Sequence, residues 1–122
     1  MNNQKADVLV CVWKPNENWD GLSDEEKRDF LSKVAVAANA ARDGGMQIMG
    51  WGLLERTISN PPEQSFCGVF FVDDREGLHA VDKGIRESGW YHYFDHINVA
   101  SHLLGRDGVE AEQALCSLLG VP

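Results

Sequence analysis

The order of strand-like and helical segments is the feature of this sequence that most restricts its fold. Helical periodicity separates the first strand-like run from the second and the third from the fourth, and a shorter helical stretch follows the last run. The predicted order is therefore β-α-β-β-α-β with an additional C-terminal helix. Runs rich in β-branched and aromatic residues predict the four strands at residues 7–13, 46–56, 65–72 and 96–104.

The first helix has the clearest boundaries. Ser23 and Glu26 form a capping box, with a hydroxyl at the N-cap and a carboxylate three residues later. Apolar residues then recur at spacings of three and four, and the pair Gly44-Gly45 supplies a left-handed stop. The pattern predicts a helix over residues 24–42.

The other helices have weaker signals. Asp73-Asp74 offers an N-cap for the second helix, which is predicted to end near Gly89, and Asp107-x-x-Glu110 is predicted to open the last helix. The whole order is that of an α+β, ferredoxin-like fold, in which an antiparallel four-stranded sheet carries both main helices on one face. The segment that follows Gly89 is predicted as either a helical turn or a loop.

Size and charge exclude several classes of protein. The chain has 122 residues, which predicts a single domain over residues 1–122, and it carries 11 Lys+Arg against 19 Asp+Glu, a formal net charge of −8. Nucleic-acid binders need clustered basic residues, so nucleic acid and anionic membranes are poor partners. No apolar run is long enough to span a membrane, and the polar start is unlike a signal peptide, which predicts a cytoplasmic location.

Alternation along the strands divides the sheet residues into two sets that face opposite sides. We expect the aliphatic set to pack against the helices. This set contains Val8, Val10, Val12, Ile97, Val99 and Leu103. The opposite set contains Leu9, Cys11, Trp13, Gln47, Met49, Trp51, Gly68, Phe70, Val72, His96, Asn98, Ala100 and His102. Gly50 and Gly52 indicate a β-bulge, so the phase of the second strand stays open.

The second set is large and aromatic and includes a few polar groups. An apolar face of this size is not stable in water, which predicts a partner that covers it. We expect a homodimer in which two sheets pack face to face. A cavity between them would have the apolar walls and sparse polar groups of a small-molecule site.

Three motifs carry a resemblance to a known superfamily. They are Trp19-x-x-Leu22-Ser23-x-Glu25-Glu26, Gly50-Trp51-Gly52 and Gly89-Trp90-Tyr91-x-Tyr93-Phe94. With the order of elements, they resemble the dimeric α/β-barrel superfamily and, within it, a small bacterial family of uncharacterised domains, over about residues 7–104. The superfamily includes cofactor-free monooxygenases, polyketide cyclases, lactone isomerases, aldoxime dehydratases and haem-degrading enzymes. The resemblance therefore implies fold and dimerisation more strongly than a reaction.

Strand four supplies the candidate catalytic residues. His102 and Asn98 are predicted to point the same way into the cavity, where a histidine can move a proton near neutral pH and an asparagine can hold a carbonyl or enolate oxygen. Tyr91 would help to hold that oxygen. The candidate residues for substrate binding are Trp13, Trp51, Phe70, Cys11, Met49, His96 and Tyr93. A hydrogen-bonded core or interface histidine is the alternative role for His102.

The segment Trp90 to His96 is the densest polar and aromatic stretch, and it has a packing interpretation as well as a functional one. Its aromatic residues can hold a loop against the sheet, or its hydroxyls can bind substrate while Asp95 orients a histidine. His92 and His96 are four residues apart and could share a metal with His102 only if the segment were helical. We predict no metal.

Two further residues have weak functional signals. His79 lies where haem-degrading relatives carry their iron ligand, but the resemblance also requires an asparagine on the first strand, which is missing, and a tryptophan on the third, where Phe70 stands. Cys11 has no basic neighbour in its strand to lower its pKa, which favours a packed thiol over a nucleophile.

These patterns predict a small-molecule enzyme that acts without a tightly bound cofactor. Its substrate would be an aromatic or polyketide-like carbonyl compound, and a histidine would transfer a proton in a monooxygenase, isomerase or cyclase reaction. The alternative is a non-catalytic dimeric module that binds a metabolite. Haem binding or haem degradation is a lesser alternative.

Overall fold

The structure, a computed structural model, describes residues 7–104, 108 and 110–122. Its elements follow the predicted order, with one unpredicted short helix after the first strand and a helical turn after Gly89, which is one of the two predicted alternatives. In chain order they are β1 (Asp7–Pro15), α1 (Glu17–Asp20), α2 (Asp24–Asp43), β2 (Gln47–Leu53), β3 (Phe66–Val72), α3 (Arg75–Glu87), α4 (Trp90–Tyr93), β4 (Phe94–His102) and α5 (Ala111–Leu119). The polar start, residues 1–6, and the expected cap Asp107 lie outside the described residues.

The four strands form one antiparallel sheet with the order β2-β3-β1-β4. β1 is central and pairs with β4 along its whole length, from Asp7 opposite His102 to Pro15 opposite Phe94. This α+β arrangement confirms the predicted fold class. Among the described residues, no helix combines the length and apolar character that crossing a bilayer requires.

The predicted starts of α2 and α3 are confirmed. Ser23 Oγ accepts a hydrogen bond from the Glu26 backbone N–H at 3.1 Å, and Glu26 Oε1 accepts one from the Ser23 N–H at 2.9 Å. At the start of α3, Asp74 Oδ1 accepts from the Gly77 N–H at 2.8 Å. Each side chain satisfies a donor that has no partner inside its own helix.

The predicted assignment of the two sheet faces is wrong. Leu9, Cys11 and Phe70 form the buried core cluster, and α3 packs against it through Leu78, Val81 and Ile85. The valines Val8, Val10 and Val12 alternate with these core residues, so they face away from the helices. Ile97 and Val99 lie on that outer face too, because they pair with Val12 and Val10.

The inversion has a physical reason. Alternation separates two sets of side chains but does not say which set the helices cover. Here the large aromatic residues, such as Trp13 and Phe70, lie between the sheet and the helices. The β-branched residues Val10, Val12, Ile97 and Val99 lie on the outer face.

The expected β-bulge is present in β2. The register with β3 shifts between Ile48 and Gly50, where Gly50 has a φ of 144° that favours glycine. The extra residue, Met49, interrupts the alternation that was expected to place it beside Trp51. Ile48 and Trp51 therefore both reach the helix side.

Aromatic rings connect the start of α2 to the sheet. We call Trp13, Trp19, Phe30, Trp90, Tyr93 and Phe94 the aromatic cluster. Phe30 of α2 lies 4.9 Å from Tyr93 and 6.1 Å from Trp90 between ring centroids, and Trp90 stacks on Phe94 at 4.1 Å. The short helix α1, which the sequence interpretation missed, adds Trp19 at 4.8 Å from Phe94.

Candidate functional site

A cavity of about 510 Å³ lies between the sheet and helices α2 and α3. This volume is within the range of small-molecule sites. The cavity is inside one chain, whereas the sequence interpretation placed it between two sheets. The two ends differ, because the aromatic cluster closes one and the turn from β3 into α3 forms the other.

The helices line the cavity mainly with small side chains. A helix that presents alanine and glycine to a sheet leaves space unless the sheet supplies bulk. On α2 and α3 the small lining residues are Ala37, Ala38, Ala41, Gly77, Ala80 and Gly84. These small side chains therefore leave the space between the helices and the sheet unfilled.

The sheet supplies an aromatic floor. Trp51 and Phe70 meet edge to face at 6.5 Å between centroids, and the Trp51 indole lies across Gly68. A Cβ at Gly68 would stand 3.1 Å from Trp51 Cδ1, so glycine leaves room for this ring. Trp13 and Trp90, at 5.1 Å in an edge contact, continue the wall toward the aromatic cluster.

The polar group at the aromatic end of the cavity is His96. Trp90 Nε1–H donates to His96 Nε2 at 2.6 Å. An indole N–H can only donate, so His96 Nε2 is unprotonated and Nδ1 carries the proton. That Nδ1–H donates to Asn98 Oδ1 at 2.8 Å.

The hydrogen bonds continue in one direction from Asn98. Its Nδ2 donates to the Tyr91 hydroxyl at 2.9 Å, and that hydroxyl donates to Asp82 Oδ1 at 3.4 Å. Asp82 also pairs with Arg86 at 2.7 Å. We call Trp90, His96, Asn98, Tyr91 and Asp82 the polar chain. Its members satisfy one another, which holds the His96 ring in one orientation and one tautomer.

Burial controls the protonation of the groups near this end. It lowers the pKa of His96 below the usual histidine value, against the opposing effects of Asn98 and Asp95. It raises the pKa of the Tyr91 hydroxyl. Burial also raises the pKa of the Cys11 thiol to about 11, with a smaller contribution from the Asp82 charge. Cys11 is therefore a protonated thiol at neutral pH and not a ready nucleophile.

His102 belongs to a separate cluster at the other end of β4. Its Nδ1 contacts Asp7 Oδ1, and Arg75 Nη2 lies 3.3 Å from its Nε2. Because an arginine can only donate, Nε2 accepts and the Nδ1–H donates to the carboxylate. Asp7 is fully buried, and its Oδ2 has no hydrogen-bond partner among the described residues. His102 does not line the cavity.

The structure brings together part of the predicted site. Of the predicted substrate-binding residues, Trp13, Trp51, Phe70, Cys11 and His96 line the cavity. Met49 and Tyr93 do not, because the bulge displaces the first and the second packs against Phe30. The predicted catalytic pair is separated, since Asn98 belongs to the polar chain and His102 contacts Asp7. Tyr91 and Asn98 stand behind His96 and hold it.

The histidines considered as metal or haem ligands lie apart in the structure. His92 is exposed on α4 while His96 lies on β4, so the two do not share a helical face. Residues 7–104, 108 and 110–122 contain no cluster of His, Cys, Asp or Glu that could hold a metal ion. His79 is exposed on α3 and does not line the cavity. Asp95 receives a hydrogen bond from Asn16 at 3.3 Å.

The sequence interpretation missed three residues that form hydrogen bonds in the polar chain and in the His102 cluster. Trp90 was given only a packing alternative, and neither Asp82 nor Asp7 was considered. The pairing of Trp90 with His96 spans a helix-to-strand boundary and has no fixed sequence spacing. Asp7 could have been found, because a carboxylate at the first position of a central strand is unusual and calls for a partner.

Residues 6–115 match a family of unknown function, DUF6616, and the chain belongs to it. No curated protein matches the chain significantly.

Two solved structures are similar to this chain. One is a dimeric ferredoxin-like protein of unknown function from Thermobifida fusca, with 13% identity and a TM-score of 0.54, covering 84% of this chain and 95% of that one. The other is a hypothetical Arabidopsis thaliana protein solved in solution, with 13% identity, a TM-score of 0.47, and coverage of 84% and 90%. The first likeness supports the ferredoxin-like fold.

Proposed function

We propose that this protein is a small-molecule enzyme that binds an aromatic or polyketide-like carbonyl compound in the cavity between the sheet and the helices and transfers a proton through His96. The observation that carries the proposal is a cavity of about 510 Å³ with aromatic walls and a half-buried imidazole at one end. Apolar walls with a few fixed polar groups are the usual composition of a small-molecule site.

The proposed base is Nε2 of His96. The lowered pKa keeps this atom unprotonated at neutral pH, and Asn98 fixes the proton on Nδ1. A bound ketone would displace the Trp90 N–H from His96. The freed N–H could then donate to the carbonyl oxygen while Nε2 removes a proton from the adjacent carbon. The electron pair of the broken C–H bond becomes that of an enolate.

The test is deuterium exchange into 2-tetralone, a bicyclic ketone with acidic C–H bonds beside its carbonyl. Proton NMR in D₂O follows the loss of those signals with and without the full chain. We expect the protein to accelerate exchange and His96→Gln to lose at least about tenfold of that acceleration, as is typical for a general base. His79→Gln, an exposed change outside the cavity, is the matched control and keeps it.

A metabolite-binding module without catalysis is the second candidate. Both ring nitrogens of His96 already have partners, which is the arrangement of a structural histidine. Calorimetric binding of 2-tetralone without accelerated exchange would support this module and contradict the enzyme. Absence of binding by 2-tetralone and by other bicyclic probes would contradict both.

We also propose that two copies of the chain pair through the outer sheet face. Ile97 and Val99 are about half exposed there, and they continue the apolar surface of Val10 and Val12. The described strand residues carry charge on this face only toward one end, at Lys14 and Asp95. A face of this composition is self-complementary around a two-fold axis, as the likeness to a dimeric neighbour supports.

Light scattering after size-exclusion chromatography tests the pairing. We expect a dimer for the wild type and a monomer for Val99→Lys, because a charge would lie in the centre of the interface. Val36→Lys is the control, since Val36 is 70% exposed on α2, away from the sheet. A dimer that survives Val99→Lys would contradict the proposed interface.

A further inference from the structure

We propose that the cavity takes uncharged or positively charged aromatic molecules and discriminates against carboxylates and other anions. This inference rests on the proposed function, because it narrows the class of molecule that the same cavity binds. The closing experiment separates failure of the selectivity from failure of the site.

The walls offer no positive charge to a ligand. In the part of the chain that the structure describes, no lysine or arginine lines the cavity, whereas Asp73 and Asp74 line the end where β3 leads into α3. Arg86 lies near the polar chain but pairs with Asp82, and Arg75 contacts His102, which is outside the cavity.

His96 is also unable to act as a counter-charge in its present setting. Its Nε2 accepts the Trp90 N–H, so a proton on that atom would place two donors against each other. The remaining ring nitrogen already donates to Asn98. With both nitrogens engaged, the imidazole presents no positive charge to a ligand. Once a ligand displaces the Trp90 N–H, Nε2 becomes a neutral acceptor, which suits a hydroxyl or an ammonium, and the neutral indole N–H is the donor left to meet an anion.

The energetic consequence follows from desolvation. A carboxylate that enters an apolar cavity loses its hydration and gains no cation in return, which costs several kilocalories per mole in proteins. An alcohol loses less and can donate to His96 Nε2. An amine can keep its charge near the Asp73 and Asp74 carboxylates at the other end.

Three probes of nearly equal size test this selectivity by calorimetry at neutral pH: 2-naphthalenemethanol, 2-naphthylmethylamine and 2-naphthoate. We expect the alcohol and the amine to bind and the carboxylate to bind at least about tenfold more weakly than the alcohol. The comparison is repeated in high salt, which screens the repulsion from the net charge of −8. Discrimination that disappears in high salt would assign the effect to the overall charge and overturn the proposal.

A variant pair provides the reverse test. Ala80 lines the cavity and is exposed, so it lies at the rim, where a long side chain can be accommodated. We expect Ala80→Lys to strengthen naphthoate binding at least about fivefold relative to Ala80→Gln, which adds a neutral chain at the same position. Equal naphthoate binding by the two variants would contradict the missing counter-charge as the cause.

The outcomes separate the two proposals. If 2-naphthoate binds the wild type as tightly as the alcohol in low and high salt, the selectivity is wrong and the cavity site stands. If no probe binds, and 2-tetralone does not bind either, the proposed function is wrong and the proposed selectivity is wrong as well.

Discussion

The two ends of the space between helix α2 and the sheet are built in opposite ways. At one end, Phe30 and its neighbours in the aromatic cluster fill the space with rings separated by 4 to 7 Å between centroids. At the other end, Ala38 and Ala41 of the same helix face the sheet across an open cavity. The same helix therefore packs against the sheet through Phe30 near its start and lines the cavity with alanines further along.

This contrast explains how the chain keeps a cavity without losing its fold. The aromatic contacts at one end stabilise the packing of the helix on the sheet, since each ring buries a large apolar surface. They also hold the helix away from the sheet, so that alanines further along cannot close the gap. The filled end and the open end thus lie at different positions of α2, and substitutions should separate their effects on stability and on the proposed ligand binding.

Removing the anchor should have the largest effect. We expect Phe30→Ala to lower the free energy of unfolding by about 3 kcal/mol, because it removes a ring that contacts Trp19, Trp90 and Tyr93. Chemical denaturation measures the change. Leu31→Ala, at a neighbouring exposed position, is the control and should cost less than about 1 kcal/mol. Equal losses for the two variants would show that the filled end does not anchor the helix.

Filling the open end should change binding more than stability. Ala38→Leu places a larger side chain in the cavity, and we expect at least about tenfold weaker binding of 2-tetralone with an unfolding free energy within about 1 kcal/mol of wild type. Ala40→Leu makes the same change at an exposed position outside the cavity lining. Calorimetry compares the pair. Unchanged affinity in Ala38→Leu would place the ligand elsewhere.

The local elements of the fold were predictable from sequence, because their signals are local. The capping box at Ser23 and Glu26, the Asp74 cap and the bulge at Gly50 each depend on residues close together in the chain. The order of those elements then restricts the topology to a few possibilities. The start of β4 was placed two residues late, since Phe94 continues from a short helix directly into the strand.

The site was less predictable, because it depends on which sheet face the helices cover. Period-two alternation selected Trp13, Phe70 and His96 as one set, and that set does line the cavity. The same alternation also joined Asn98 to His102, although their actual partners come from α4 and from the start of β1. Contacts between distant elements decide such partners, and a single sequence does not record them.

A smaller effect concerns the pH dependence of stability at the boundary between the two ends. Burial lowers the pKa of folded His96, whereas the unfolded chain has the ordinary value of about 6.5. As the pH falls below about 6.5, the unfolded state takes up this proton first, so the folded state loses stability until the pH reaches the folded pKa. We expect His96→Gln to show a shallower loss between pH 7 and pH 5, measured by denaturation at each pH. An unchanged slope would mean that His96 is not held neutral.

The smallest expected effect is a difference in reactivity among the three cysteines. Cys11 lies on the cavity floor next to Trp13, and burial raises its pKa to about 11, so almost no thiolate is present at neutral pH. Cys116 is partly exposed on α5, whereas Cys67 lies on the outer sheet face that the proposed dimer covers. We expect iodoacetamide to modify Cys116 before Cys11, as followed by peptide mass spectrometry. Fastest modification of Cys11 would show instead that the cavity activates this thiol, and the cavity floor would then be a reactive surface and not an inert one.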